Sequence, residues 1–285
     1  SLLVLTFTNK AAREMVERIR KMFGETFYIR QKYMGTFHSV FARILRVESD
    51  KIGFTSDFTI YDEADSRSLL KSIVKEMGLS EKTYKPVVVH ARISMAKNQL
   101  IGVDSYESDS DILSQNKRAG MPEIAKIYRE YVQRCKLANA MDFDDLLLYT
   151  NTLFEKHPEI LKTYQERFGY ILVDEYQDTN RAQHLIVSKL AANHQRICVV
   201  GDDAQSIYSF RGANIDNMLM FQRQYEGCKL FKLEQNYRST QTLVNAANSL
   251  ISRNKNQIRK NVFSDGDIGK AIKLLTAYSD YDEAF

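Results

Sequence analysis

The segment ILVDEYQDTN, residues 171–180, joins a short apolar run directly to a group of acidic and amide side chains. Such a run of Ile, Leu and Val is typical of a buried strand in a parallel sheet. In open sheets of parallel strands, ligands bind beyond the carboxyl ends of the strands. The segment therefore predicts an α/β fold in which Asp174 and Glu175 stand at a ligand-binding edge.

Other strand–helix pairs occur on both sides of this segment. With 12 Gly and 3 Pro in 285 residues, the composition favours long helices over a β-sandwich or a disordered chain. Helices are predicted after the first two strands, from about 142, over 180–192, and from 239 or 240 to about 253. Strands are predicted at 2–7, 33–37, 170–173, 196–200 and 229–233.

Residues 48–141 have a different pattern, with apolar positions at helical spacing and no clear strand. Helices are predicted from about 61 to Gly78, over about 87–99, and after Pro122. The acidic, serine-rich residues 105–115 are predicted to be a loop. We therefore expect an all-helical insertion within the α/β domain.

The two acids at the end of the 171–173 run suit phosphoryl transfer. That chemistry needs one carboxylate on Mg²⁺ and one group that orients or deprotonates the attacking water. Adjacent Asp174 and Glu175 can divide these tasks. An Asp–Glu pair alone is more often a solvated turn, whereas the full pattern DEYQDTN after an apolar strand is far more specific.

A second polar segment, VVGDDAQSIYSFRGA at 199–213, follows another predicted strand. Its Gln205 can hydrogen-bond a terminal phosphate or the attacking water. Tyr208 and Phe210 can stack on nucleic-acid bases, or both can belong to the core. The two interpretations are balanced for Tyr208, whereas the polar neighbours of Phe210 favour a position facing DNA.

Three further segments have side chains suited to a phosphate-rich ligand. In LEQNYRST, at 233–240, Arg238 can contact a γ-phosphate and Tyr237 can stack on a purine, or the arginine can form a surface ion pair. TFTNKAAREM at 6–15 and GTFHS at 35–39 are predicted strand-to-helix turns, where free backbone N–H groups favour phosphate. His38 alone would more often be structural.

The net charge of +4 is distributed unevenly along the chain. Residues 9–46 contain nine Lys or Arg and three Glu, and residues 232–260 contain six Lys or Arg and one Glu. Local basic surfaces suit a phosphate partner, although charge alone equally fits solvated helix faces.

In this order, the segments TFTNKAAREM, TFHSVFARILR, DFDDLL, ILVDEYQDTN, VVGDDAQSIYSFRGA and LEQNYRST resemble the helicase motifs of the UvrD/PcrA/Rep family of superfamily one. The resemblance covers essentially the whole chain. It implies two RecA-like motor domains with helical insertions, ATP between them, and movement 3′ to 5′ along single-stranded DNA. The implied parts are 1–47 and 142–227 for the first motor domain, 48–141 for its insertion, and 228–285 for the start of the second.

The resemblance also implies a role for individual residues. Asp174 would hold Mg²⁺, Glu175 would activate water, Gln205 and Arg238 would contact the γ-phosphate, and Tyr237 would stack on adenine. The residues implied in DNA binding are Phe7, Thr8, Asn9, Thr36, His38, Tyr208, Phe210 and Arg211. The implied partners are single-stranded DNA and duplex junctions, and protein partners are not indicated.

The chain departs from the family pattern in four respects. The Gly-rich loop ending in Gly-Lys-Thr is expected just before residue 1, and the late motifs of the second motor domain are expected after residue 285. Phe210 stands where the family often has Trp, and Ala204 replaces a common Asp. Because the chain starts in a predicted strand and stops in a predicted helix, we expect it to be part of a longer protein.

Two alternatives remain open at this point. The chain can be the motor part of a helicase–nuclease of AddA or RecB type, or a helicase remnant that binds DNA without hydrolysing ATP. No signal peptide or bilayer-spanning run is present, and the three cysteines, 135, 198 and 228, have no metal-binding spacing. These features predict a reducing compartment, the cytoplasm, and no membrane partner.

Overall fold

The computed structural model describes residues 1–24, 33–279, 281 and 283, and for Arg211 it describes the backbone only. The chain divides into two compact units, Ser1–Met218 and Leu219–Phe285. Residues 25–32, which belong to the basic stretch noted at 9–46, lie outside the described residues.

The first unit is built on a parallel sheet of four strands: β1 (Leu2–Thr6), β2 (Met34–Thr36), β5 (Tyr170–Val173) and β6 (Ile197–Val199). Their order in the sheet is β2-β1-β5-β6. Val4 of β1 lies beside Met34 and Leu172, and Leu172 lies beside Cys198. The predicted α/β fold with a parallel sheet is therefore confirmed.

Five helices connect these strands or pack beside them, and most start at a side-chain cap. Thr8 and Thr36 cap the first two helices, and capping boxes start α8 and α10 at Asp142 and Asn180. Pro158 occupies the first turn of α9, where a missing N–H costs nothing. These helices are α1 (Asn9–Phe23), α2 (Phe37–Val47), α8 (Phe143–Lys156), α9 (Pro158–Arg167) and α10 (Arg181–Ala191).

The predicted insertion is a helical block with a core of its own. Leu70, Ile73, Ile127, Tyr128 and Tyr131 are all fully buried at its centre. Its helices are α3 (Glu63–Glu76), α4 (Pro86–Asn98), α5 (Val103–Ser108), α6 (Ser110–Arg118) and α7 (Ile124–Leu137).

Two details of the predicted insertion were wrong. The block is not all-helical, because β3 (Thr59–Tyr61) and β4 (Ala140–Asp142) form a two-stranded parallel sheet where the chain enters and leaves it. The predicted loop at 105–115 is also largely helical, because Asp109 caps α6 by accepting hydrogen bonds from two backbone N–H groups.

The second unit contains α12 (Phe221–Gln224) and α13 (Gln241–Ile251), while the short α11 (Asp216–Leu219) spans the division between the units. The predicted helix from 239 or 240 is confirmed by α13. The strand predicted at 229–233 was wrong: Phe231 and Leu233 are 80% and 87% exposed. Among the described residues this region has one isolated bridge, Gln235 to Phe263, and a strand needs a continuous partner.

Candidate functional site

The candidate site begins at one edge of the four-stranded sheet. The strand order places β1 and β5 side by side, with β2 beyond β1 and β6 beyond β5. The connection from β1 therefore leads to one side of the sheet and the connection from β5 leads to the other. The point between β1 and β5 is a topological switch point, where open parallel sheets bind ligands. Phe7 and Thr8 follow β1 at this edge, and Asp174 and Glu175 follow β5.

The turn after β5 brings together three carboxylates, those of Asp174, Glu175 and Asp178. Burial raises the pKa of Asp174, and the charge of Glu175 raises it further. Burial and the same neighbouring charge also raise the pKa of Asp178, whose Oδ1 is buried with no hydrogen-bond partner among the described residues. This turn is therefore an electronegative site that a cation would stabilise.

Glu175 has an unusual backbone conformation, with φ 52° and ψ 41°, in the left-handed region. A residue other than glycine adopts this backbone conformation at an energetic cost, and residues with such strained backbones concentrate at functional sites. The carboxylate of Glu175 accepts a 2.8 Å hydrogen bond from Nε2 of Gln177. The backbone at Glu175 thus turns the chain sharply at the end of β5.

The carboxylates and the hydroxyl at this edge are oxygen ligands of the type that magnesium binds. Thr6 at the end of β1 has a buried hydroxyl with no hydrogen-bond partner among the described residues. No group of three or more His, Cys, Asp or Glu in the described part of the chain could hold a metal by itself. Magnesium commonly takes one or two carboxylates and completes its shell with phosphates and water.

The loop after β6 carries the next predicted residue, Gln205. It lies in a 3₁₀ turn over Asp203–Gln205, and its Nε2 donates to Oδ2 of Asp202 at 2.7 Å. Asp202 also accepts a 3.1 Å hydrogen bond from the backbone N–H of Ala204 through Oδ1. Ala204 therefore takes part in this turn through its backbone.

A cleft of about 1030 Å³ lies between this sheet edge and the helical block. Residues from five predicted segments line it, together with residues of α3 and α4. We call this space the cleft. The predicted site residues that line it are Phe7, Thr8, His38, Glu175, Gln205, Tyr208 and Phe210.

Two aromatic residues of the cleft, Tyr208 and Phe210, are accessible. Phe210 is 70% exposed and Tyr208 is 39% exposed, with ring centroids 5.9 Å apart. Neither ring is part of the core, which decides against the core interpretation of Tyr208, while the predicted contact of Phe210 with DNA stays a prediction. His38 packs edge-on against Phe143 with centroids 5.7 Å apart, and burial lowers the pKa of its imidazole.

Several predicted residues lie outside the cleft lining or have other contacts. The hydroxyl of Thr8 accepts from Ala11 N at 3.1 Å, and that of Thr36 accepts from Ser39 N at 3.3 Å, so both act as helix caps. Asn9 is exposed in the first turn of α1. Asp174 and Thr36 do not line the cleft, and the side chain of Arg211 lies outside the described part of the molecule.

The helical block contributes a side of the cleft that the sequence did not predict. Asn98 of α4 donates to Asp144 Oδ1 at 2.9 Å and accepts from Nδ2 of Asn180, which joins the block to the sheet domain. Helical periodicity predicted α3 and α4 but not which face of each would meet the cleft. The lining residues from these two helices are Glu63, Arg67, Val87, His90, Ala91, Ser94, Met95 and Asn98.

Tyr237 and Arg238 belong to the second unit. Tyr237 is 85% exposed, and its hydroxyl donates to Gln235 Oε1 at 2.6 Å. The side-chain oxygen of Asn236 accepts from the backbone N–H groups of Arg238 and Ser239 at 2.9 and 2.8 Å, which fixes the start of this turn. That these two side chains contact the nucleotide stays a prediction.

Among the described residues, no helix combines the length and the apolar character that crossing a membrane requires.

Comparison with known proteins gives two adjoining family matches. Residues 1–226 match the UvrD/REP helicase N-terminal domain, and residues 231–285 match the UvrD-like helicase C-terminal domain.

Named relatives that match over the whole length of this chain agree with the family models. The chain is 43% identical over 288 residues to a probable DNA helicase II homolog of Rickettsia felis and 44% identical over 289 residues to DNA helicase II of Rickettsia typhi. It is 42% identical over 285 residues to the ATP-dependent DNA helicase PcrA of Staphylococcus aureus strain Mu50. All of this chain is covered in each case, but only 42%, 42% and 38% of the respective relatives. By both family matches, the chain belongs to the UvrD/REP helicase family.

Proposed function

We propose that the protein containing this chain is an ATP-dependent DNA helicase that moves 3′ to 5′ on single-stranded DNA and acts at duplex junctions. One observation carries this proposal: Glu175 and the exposed rings of Tyr208 and Phe210 line the same cleft. A carboxylate suited to water activation thus lies near rings suited to base stacking. Membership of the helicase family supports the same conclusion.

In the proposed site, Asp174 holds Mg²⁺ and Glu175 orients and deprotonates the attacking water. Burial and then the charge of Glu175 raise the pKa of Asp174, and a cation bound there would favour its ionised form. The metal ion would neutralise charge on the phosphates of ATP. Gln205 would contact the γ-phosphate from the loop after β6.

The second unit would complete the nucleotide site. We propose that Arg238 contacts the γ-phosphate and that Tyr237 stacks on the adenine ring. The exposure of Tyr237 leaves one face of its ring available for such a contact. The domains in this proposal are 1–47 with 142–227, the insertion 48–141, and the start of the second motor domain at 228–285.

Single-stranded DNA would occupy the cleft. Phe7, Tyr208 and Phe210 would stack on bases, and the remaining predicted residues would contact the backbone. Those backbone residues are Thr8, Asn9, Thr36, His38 and Arg211. Since Thr8 and Thr36 use their hydroxyl groups as caps, the proposed contacts from these turns depend on backbone N–H groups at the helix starts. We place this protein in the cytoplasm.

The proposal is tested on the full-length product of the gene that encodes this chain. ATP hydrolysis is measured with and without single-stranded DNA, for the wild type and for Glu175→Gln. We expect DNA to stimulate the wild type, and the variant to bind ATP while losing turnover. A protein that binds DNA but hydrolyses no ATP would instead be a remnant, and unchanged hydrolysis by the variant would remove Glu175 from its role.

A further inference from the structure

The side chain of Gln177 lies between the turns that follow β5 and β6 and is 1% exposed. Its Nε2 donates to Oε2 of Glu175 at 2.8 Å, and its Oε1 accepts from the backbone N–H of Asp202 at 3.0 Å. A single amide therefore joins the two turns. Because the Gln177 side chain is buried, losing these hydrogen bonds would leave its amide poorly satisfied, although both bonds are only partly buried.

Gly201 leaves the space that the side-chain amide of Gln177 occupies between the two turns. A Cβ atom at this position would lie 2.5 Å from Oε1 of Gln177, closer than such atoms approach in proteins. Any larger residue would displace the amide or the loop. A second bond between the same turns runs from the backbone N–H of Tyr176 to the carbonyl of Val200, at 2.9 Å.

The hydrogen bonds continue from Asp202 to Gln205, because Oδ2 of Asp202 accepts from the Gln205 amide at 2.7 Å. A connected series thus runs from Glu175 through Gln177 and Asp202 to Gln205. Glu175 itself has a left-handed backbone, which persists only where the surroundings hold it. The two ends of the series are the side chains that the proposed function assigns to the water and to the γ-phosphate.

We propose that Gln177 is a positioning residue, which holds the carboxylate of Glu175 in register with the loop that carries Gln205. This inference rests on the proposed function, since that function supplies the roles of both ends. Gln177 itself need not touch the nucleotide. Its contribution is to keep the two loops aligned, so that the water and the phosphate are contacted from fixed directions.

The first test measures structure and uses no turnover. In Gln177→Met, a side chain of similar length loses both hydrogen bonds, so we expect the backbone amide of Asp202 to exchange hydrogen about 5–10-fold faster. Gln177→Glu keeps an acceptor for this amide and should keep its protection. The control is Gln165→Met, because Gln165 is also buried but donates to the carbonyl of Lys189 at 2.7 Å. Unchanged exchange in Gln177→Met would overturn the inference.

The second test separates turnover from binding in the full-length protein. Because a small displacement of a catalytic group costs about 10–100-fold in rate, we expect kcat with single-stranded DNA to fall by that factor in Gln177→Met and Gln177→Glu. KM for ATP should change less than about twofold, because the contacts that bind ATP equally in the ground state and the transition state are retained. Gln165→Met should keep the wild-type kcat.

The outcomes distinguish the inference from the function on which it rests. A wild-type protein without DNA-stimulated hydrolysis overturns the proposed function and the inference with it. A wild type that hydrolyses ATP beside Gln177 variants of unchanged kcat overturns the inference alone. A rise in KM with constant kcat also contradicts it, because that result assigns Gln177 to nucleotide binding.

Discussion

Lys97 and Asp142 form an ion pair in the interior of the first unit, with Nζ 2.7 Å from Oδ2 and both side chains almost fully buried. Asp145 Oδ1 lies 2.8 Å from the same Nζ, and the hydroxyl of Tyr131 donates to Asp142 at 2.9 Å. Although burial lowers the pKa of Lys97, the charges of the two carboxylates outweigh it and raise that pKa well above its ordinary value. These contacts join α4 of the insertion to the start of α8.

We predict that Lys97→Met destabilises the protein by about 3–5 kcal/mol, because it leaves two buried carboxylates without their positively charged partner. Urea denaturation measures the loss. The control is Lys126→Met, which removes an exposed ion pair to Glu123 and should change stability by less than about 0.5 kcal/mol. Equal losses of stability in the two variants would contradict the conclusion that Lys97 forms a stabilising buried ion pair.

We predict that His184→Gln weakens the dependence of stability on pH. Burial lowers the pKa of His184, whose Nδ1 lies 2.8 Å from the Tyr176 hydroxyl oxygen. The unfolded chain therefore binds a proton more readily, so stability is lost as pH falls below about 6.5 towards the lower folded pKa. The free energy of unfolding, measured from denaturation curves, should differ less between pH 8 and pH 5.5 for the variant than for the wild type. At pH 8 the imidazole is neutral in the folded and the unfolded state, so protonation of His184 contributes nothing to the free energy of unfolding. The measurement at pH 8 is therefore the reference for the one at pH 5.5.

We predict that Phe210→Ala weakens binding of single-stranded DNA by about 1–3 kcal/mol, because it removes one exposed ring from the cleft. Phe210→Trp should bind at least as tightly as the wild type. Fluorescence anisotropy at two salt concentrations measures both, and the wild type should bind more weakly at the higher one. Tyr170→Ala is the matched control, since this exposed ring lies at the amino end of β5. An equal loss for both alanine variants would exclude a specific role for Phe210.

We predict that the 285-residue chain tested alone hydrolyses ATP very slowly. Its sequence contains no Gly-Lys-Thr or Gly-Lys-Ser phosphate loop, whose backbone amides and lysine would bind the phosphates. Phosphate release in the presence of single-stranded DNA is the measurement. Rapid turnover by this chain would show that the nucleotide site works without such a loop.

The sequence predicted the sheet and one side of the cleft because their signals are local. Apolar runs followed at once by polar residues marked β1, β5 and β6, and capping residues marked the helix starts. The polar neighbours of Phe210 predicted a position facing DNA; its ring is exposed, and its contact with DNA stays a prediction. These features depend on residues only a few positions apart.

Features that depend on distant residues were not predicted. Lys97 lies in a helix whose pattern gives no sign that a lysine is buried, and its partner lies 45 positions away. The same applies to Gln177 and Gly201, whose close approach requires β5 and β6 to be adjacent. In the predicted loop at 105–115, composition indicated solvent exposure, but Asp109 instead starts a helix.

The paired strands β3 and β4 also limit how the insertion can vary. Thr59 to Tyr61 lie beside Ala140 to Asp142, so the chain departs from and returns to nearly the same place. Lengthening or shortening the connection between α3 and α4 leaves the spacing of these two points unchanged. The helical block can therefore change size over evolution while the edge of the sheet that carries Asp174 and Glu175 keeps its geometry.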